Sequence, residues 1–308
     1  MLEGVHEGGL LPPGKPVVAM LSGGRDSTCL VDLAARLLGA ELVTAVHVNY
    51  RLREDADEDE VFCQALCGRL GVRLEVERPR RPDGAGNLQS WARDERYAAA
   101  ARLALAAEAR IATGHTADDQ VETILYRLAS SPSRRALLGM KPRDGNLVRP
   151  LLPFTREETT AYCEECGLGW RDDPTNEEAG YARNRVRNDV LPAFAEIHPA
   201  AARNVLRTAA LLRDEAEVLD ALVDAELDGS NGSAGTISLQ RLAELPGALR
   251  RLVVQRLADR AAGRPVPGAA NHAEEVAALR RTGTAMLDLG GGVRAVVERG
   301  VLHAERPI

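Results

Sequence analysis

Short apolar blocks alternate along the first half of the chain with stretches whose apolar positions recur every three or four residues. The blocks Val17–Leu21, Leu42–Val48, Arg73–Val76 and Arg110–Thr113 read as strands. The stretches near 26–39, 54–70, 88–109 and 117–129 read as helices; in the first, Leu30, Val31, Leu33, Ala34 and Leu37 gather on one side. Strand and helix in strict alternation predict a parallel sheet covered by helices on both faces. Such sheets bind ligands beyond the carboxyl ends of their strands. The segments Ser22–Ser27, His47–Arg53 and Gly114–Glu122 each follow a predicted strand, so they are expected to meet at one sheet edge.

The pattern loosens afterwards. Residues 130–147, rich in Ser, Pro, Arg and Gly, read as a loop. Thr155-Arg-Glu-Glu158 is a capping-box signature opening a helix to about Cys166. Helical period returns near 182–195 and 200–228, and Asp228–Gly235 is a flexible break. Met286–Leu289 and Val293–Val297 flank three glycines as a hairpin, with Val301–Ala304 after it. The expected fold is a Rossmann-like α/β sheet with a helical extension over 1–215, then a smaller α+β domain over 216–308. A length of 308 residues suits two domains.

Composition narrows the setting. Hydrophobic residues make up 45% of the chain, enough for a real core, yet no apolar run approaches the ~18 residues of a membrane span. Met1–Glu7 carries no basic stretch ahead of an apolar one, so no signal peptide is expected. Five cysteines do not make a disulfide framework at this length, which fits a reducing cytoplasm. The net charge of −6 argues against nucleic acid only at first sight. Residues 54–60 hold six acids in seven positions, whereas 125–213 hold 14 Arg and Lys against 11 Asp and Glu. A local basic surface on an acidic protein can hold RNA, although a solvated helix face gives the same count.

Two segments carry candidate chemistry. Ser22-Gly-Gly-Arg-Asp-Ser27 sits between a strand and a helix, where glycines let backbone N–H groups approach phosphate oxygens and the helix dipole favours negative charge. No Lys follows the glycines, so the pattern is not Walker A. The plainer alternative is a strand-to-helix turn with a Ser/Asp cap. His115-Thr-Ala-Asp-Asp-Gln-Val-Glu-Thr123 makes Asp118 and Glu122 i,i+4 neighbours, and Asp119 and Glu122 i,i+3 neighbours, at a helix start. Crowded carboxylates there suit Mg2+ or a substrate ammonium, or simply complement the helix dipole.

Ser-Gly-Gly-x-Asp-Ser resembles the PP-loop of ATP pyrophosphatases, which cut ATP between the α- and β-phosphates and adenylate a substrate. Further blocks follow in order: His47–Arg53, Ala92–Tyr97, Gly114–Thr123, Leu137–Met140, Arg149–Leu152, Asp173–Asn176 and Arg183–Pro192. Together they resemble the tRNA(Ile)-lysidine synthetase family, in a short form with one domain after the catalytic one. Tyr50 and Ser130–Ser133 depart from the family's pattern, which has His and a Gly-rich stretch there.

The resemblance implies ATP-dependent ligation of free L-lysine to C2 of the wobble cytidine of tRNA(Ile) with a CAU anticodon. Adenylation of the C2 oxygen comes first, and displacement of AMP by lysine's ε-amine second. It implies that Ser22, Gly23, Gly24, Arg25 and Ser27 cradle ATP, that Asp26 helps hold Mg2+ and that the His47 stretch lines the adenosine site. A buried, hydrogen-bonded structural His is the alternative for His47. Asp118, Asp119 and Glu122 are expected to handle lysine's amino groups or the metal, and Arg93 and Arg96 a carboxylate or phosphate. His115 is a candidate base or a cap of the acidic turn. Arg134, Arg135, Arg183, Arg185 and Arg187 are expected on RNA, with tRNA contacts also from the tail and a possible homodimer. Aromatic residues are only 3% of the chain, so Arg–phosphate contacts are expected to outweigh base stacking. The rival reading is a PP-loop enzyme that thiolates tRNA through the pairs Cys63/Cys67 or Cys163/Cys166; a nucleotide-binding module without catalysis is the third.

Overall fold

The structure is a computed structural model describing residues 1–52, 55–82, 84, 86–130, 134–171, 182–229, 235–280 and 282–307. The Asp173–Asn176 block, residues 131–133 and most of the 228–235 break lie outside the described residues. The chain divides into two compact units, Met1–Ala210 and Leu211–Ile308.

The first unit holds a six-stranded sheet, ordered β3-β2-β1-β4-β6-β5. Its strands are β1 (Val17–Met20), β2 (Val43–Val48), β3 (Arg73–Glu77), β4 (Arg110–Ala112), β5 (Arg143–Asp144) and β6 (Leu147–Val148). All pairs are parallel except β5–β6. Every residue of β1 is buried because the strand is covered on both faces. Val17 and Ala19 join one core with Leu30, Leu33, Cys63 and Cys163, while Val18 and Met20 join another with Ala99, Ala100 and Ala104. The helices that supply those residues are α2 (Arg25–Leu38), α3 (Ala56–Leu70), α4 (Leu88–Ala106) and α7 (Arg156–Glu165); α1 is Leu2–Glu7, α5 Ala117–Ser130 and α6 Arg134–Leu138. The chain leaves β1 for β2 on one side and returns to β4 on the other. That reversal opens a crevice at the carboxyl ends.

Two expectations are revised. Residues 130–147 are not one loop: they hold the end of α5, then α6 and the β5–β6 hairpin turned through Gly145 at φ 60°. Two-residue strands are too short to show a period, and β6 forms because β4 offers an open edge. The helix expected over 182–195 is present, but its middle is wound differently: α8 (Ala182–Arg185) runs on without a break through a π-turn over Val186–Val190 into α9 (Leu191–Ile197).

The long helix α10 (Ala201–Gly229) runs across the division between the units. In the second unit the short helices α11 (Leu239–Glu244) and α13 (Ala273–Ala277), together with α12 (Gly247–Ala262), pack on an antiparallel sheet. Its order is β7 (Ile237–Ser238), β10 (Val301–Glu305), β9 (Val293–Glu298), β8 (Thr284–Gly290). Val223, Leu227, Leu239, Val253, Leu257, Val297 and Leu302 fill its separate core. Gly290, Gly291 and Gly292 turn the β8–β9 hairpin, all at positive φ.

Candidate nucleotide and substrate site

The phosphate loop is built by hydroxyls and glycines. Gly23 takes φ 89°, and Gly24 caps α2 with no side-chain acceptor. The first-turn N–H groups of α2 thus have no capping side chain, which is the arrangement that favours an anion. Ser22 and Ser27 hydroxyls lie 3.0 Å apart; Ser27 donates to the Gly24 carbonyl at 2.8 Å and accepts from the Ser22 amide at 3.1 Å. Arg171 closes the loop from outside: its amide donates to the Gly23 carbonyl at 3.0 Å, and its guanidinium pairs with Asp59 and Glu58.

Gly114 brings the third marked segment against the loop. A Cβ at this position would stand 2.8 Å from the Asp26 carbonyl oxygen and 3.1 Å from the Ser27 nitrogen. Only glycine lets the end of β4 pass this close to the start of α2.

Helix α7 joins the loop to the acidic turn of α5. Thr155 begins α7 with the predicted capping box. The Arg156 amide donates to the Asp118 carboxylate at 2.6 Å, and the Arg156 guanidinium reaches Asp119 at 3.3 Å and Glu122 at 3.4 Å. Three residues on, the buried Thr159 hydroxyl donates to Asp26 Oδ1 at 2.6 Å, the oxygen that also accepts from Arg25 Nε at 3.1 Å. Asp119 caps its own helix through the Thr116 amide and hydroxyl. Arg187, carried on the π-turn, makes a bidentate pair with buried Glu122, at 2.6 and 3.2 Å, and lies 3.9 Å from Asp119. Those carboxylates raise the guanidinium's pKa against the opposing effect of burial. The three acids are therefore answered by two arginines from elsewhere in the chain.

The structure brings His47 to the same edge as a buried group. Its Nδ1 donates to the Leu21 carbonyl at 3.0 Å, Cys63 Sγ lies 3.5 Å from Nδ1, and Nε2 has no partner. Burial lowers its pKa. Arg51, in the same segment, has φ 52°, a left-handed conformation that costs a non-glycine residue about 1 kcal/mol or more. His115 Nδ1 lies 2.7 Å from the Thr113 hydroxyl. Arg93 stacks over the Tyr97 ring at 4.7 Å, and Arg96 has a buried Nε without a partner. Arg134 opens α6 and Arg185 is mostly exposed, 3.9 Å from Asp189; the side chains of Arg135 and Arg183 lie outside the described part.

Sequence reasoning missed Arg156, Thr159 and Arg171. The capping box at Thr155 located α7, but nothing local announced which face would meet Asp26. The cysteines are buried apart from the half-buried Cys166, and Cys163 Sγ donates to the Arg25 carbonyl of α2 at 3.8 Å. Desolvation raises the thiols of Cys63 and Cys67, the second up to about 11. Among the described residues, no three His, Cys, Asp or Glu side chains are grouped to hold a metal ion, and no helix is long and apolar enough to cross a membrane.

The PP-loop domain family matches residues 11–194. The tRNA(Ile)-lysidine synthase of Symbiobacterium thermophilum is 36% identical over 97% of this chain and 67% of its own length. That of Thermus thermophilus is 38% identical over 83% of this chain and 51% of its own length, and that of Chlorobaculum tepidum 42% identical over 63% and 61%. The chain spans about half the length of several curated relatives it matches. The U34-tRNA thiolase NcsA of Methanococcus maripaludis, solved with its [4Fe-4S] cluster, shares the fold at a TM-score of 0.57 over 69% of this chain and 77% of its own, with 16% identity. The chain belongs to the PP-loop domain family and, within it, to the tRNA(Ile)-lysidine synthases.

Proposed function

We propose that this protein ligates free lysine to C2 of the wobble cytidine of tRNA(Ile), using ATP and releasing AMP and pyrophosphate. The observation that carries the reading is the junction at Gly114, where a phosphate loop without a Walker lysine abuts an acidic helix start. An adenylating ligase needs those two sites in contact: one for a triphosphate, one for a cationic nucleophile.

The chain's residues divide the work. Ser22, Ser27 and the open N-terminus of α2 receive the phosphates and stabilise charge on the departing pyrophosphate. Asp26 sits at the loop with its side chain 21% exposed. One carboxylate beside phosphate oxygens suits the donor set of Mg2+; Asp26 would hold the ion, which when bound would neutralise phosphate charge. The cytidine C2 oxygen attacks the α-phosphorus, and pyrophosphate leaves. Lysine's ε-amine, having lost a proton, then attacks C2, and AMP leaves with the former C2 oxygen. Asp118, Asp119 and Glu122 present negative charge to lysine, with Arg156 and Arg187 fixing their positions. Exposed Arg185 is available to tRNA phosphate, whereas Arg187 is committed to Glu122.

The test is mass analysis of tRNA nucleosides after incubation with ATP and lysine. Lysidine should appear with equal amounts of AMP and pyrophosphate. ADP and phosphate as products, or modification without lysine, would overturn the reading. Thiolation is the less favoured reading because Cys63 and Cys67 are buried in the core with raised thiol pKa values.

A further inference from the structure

Arg149 is an anomaly on the opposite side of the same sheet edge. It directly follows β6, whose Val148 pairs with Ala112, and the Val148 carbonyl accepts from the Thr113 amide at 3.1 Å. Arg149 therefore stands level with the segment that leads to Gly114. It is 7% exposed. One of its donors reaches the Lys141 carbonyl at 2.6 Å; Nε is buried with no partner, and among the described residues it makes no ion pair. A guanidinium keeps its charge at any physiological pH and offers five donors. Burying it with one hydrogen bond and no counter-ion is costly, so the group is incomplete as it stands.

Burial does most to lower its pKa; Tyr97 and Asp144 offset that in part, and Arg93 of α4 adds to it. Arg96 Nε and Trp91 Nε1, also on α4, are buried donors without partners. Three buried donors thus lack acceptors on α4 and at the end of β6, while across the edge each carboxylate of the acidic turn has a partner.

We propose that Arg149 is the centre of an oxyanion-binding site, with Arg93 beside it, that takes a carboxylate or phosphate group of a substrate. Under the proposed function two sources supply that chemistry: lysine's α-carboxylate and a tRNA backbone phosphate. The inference rests on that reading for its substrates and on the structure for the site.

Arg149→Met keeps the bulk and removes the charge. An arginine retained for a ligand should leave the free protein's unfolding temperature unchanged or higher by a few degrees, because an unanswered charge has gone. Binding of lysine, tRNA and ATP is then titrated against wild type. A loss of about tenfold or more confined to one substrate supports the site. If the source is lysine, lysinamide, which lacks the carboxylate, binds wild type and variant alike. If it is tRNA, the slope of log K against log salt flattens by about one. Unchanged affinities overturn the proposal, and so does a lowered unfolding temperature with an equal loss for all three ligands, the mark of a structural arginine. Inorganic phosphate, titrated with the phosphate loop saturated by ATP, serves as a probe independent of the reaction. Tenfold weaker phosphate binding in the variant, with no lysidine made by wild type, would refute the lysidine reading and keep the oxyanion site.

Discussion

The two sides of one sheet edge treat charge in opposite ways. On the α7 side, Asp26, Asp118, Asp119 and Glu122 are all held by Thr159, Arg25, Arg156, Arg187 or a backbone amide. On the α4 side, Arg149 and Arg96 are held incompletely. The first arrangement is rigid before any ligand arrives; the second is finished by one. A substitution on the α7 side should therefore register in the free protein or in the chemical step, and one on the α4 side in ligand binding.

Asp26→Asn tests the rigid side most severely. An amide oxygen still accepts from Thr159, so the fold should persist, with an unfolding temperature within a few degrees of wild type. Pyrophosphate release should fall about 100-fold or more, as for loss of a group aimed at transition-state charge. A fall in turnover matched by a collapse in stability would make Asp26 a structural residue and undo the contrast.

Arg187 sharpens the comparison because the resemblance placed it on RNA. Its Glu122 partner has a side chain 6% exposed, and Arg187 itself 30%. Arg187→Gln should destabilise the free protein by about 1–3 kcal/mol in urea unfolding, since Glu122 loses its bidentate partner and keeps only the longer contact to Arg156. Arg185→Gln, at a side chain 73% exposed, should change stability by less than about 0.5 kcal/mol and instead weaken tRNA binding. Equal stability of the two variants would break the distinction.

How far the sequence could go is clear from these residues. The phosphate loop was legible because its strand, glycines and helix start are contiguous, and β1 because burial on both faces demands an unbroken apolar run. The acidic turn was legible for the same reason. Its counter-charges were not: Arg156 and Arg187 meet Glu122 from 34 and 65 positions away, and no local pattern encodes such a pairing. The π-turn that carries Arg187 is a shift in helical register, invisible to a period count. The cysteines were read as sequence neighbours, whereas the hydrogen bond of Cys163 is to the Arg25 carbonyl on another helix, 138 positions away.

Thr159 separates positioning from packing on the α7 side. Thr159→Val is nearly isosteric and removes only the hydroxyl that holds Asp26 Oδ1. A hydrogen bond to a charged acceptor contributes about 1.5–3 kcal/mol, so turnover should drop about tenfold or somewhat more. Thr159→Ser should restore it. Failure of the serine variant to rescue would assign Thr159 to the packing of α7 on α2.

His47 gives the smallest effect and the only one set by pH. Its Nδ1–H is committed to the Leu21 carbonyl, Nε2 is buried without a partner, and burial lowers its pKa below the usual value near 6.5. Below that pH the unfolded chain takes up a proton that the folded protein resists. Stability therefore holds above about pH 6.5 and falls as pH drops, by at most about 1.4 kcal/mol per unit from this group. Glu60 acts in a separate window: Arg78 holds its pKa below the usual carboxylate range, so its contribution is lost only in more acid solution. Urea unfolding at pH 7.5, 6.5 and 5.5 isolates the histidine. Wild type should weaken between the last two, and His47→Gln should weaken less. Parallel curves would mean that His47 takes its proton in the folded state as readily as in the unfolded one, and that the edge beside the phosphate loop is wetter than its burial indicates.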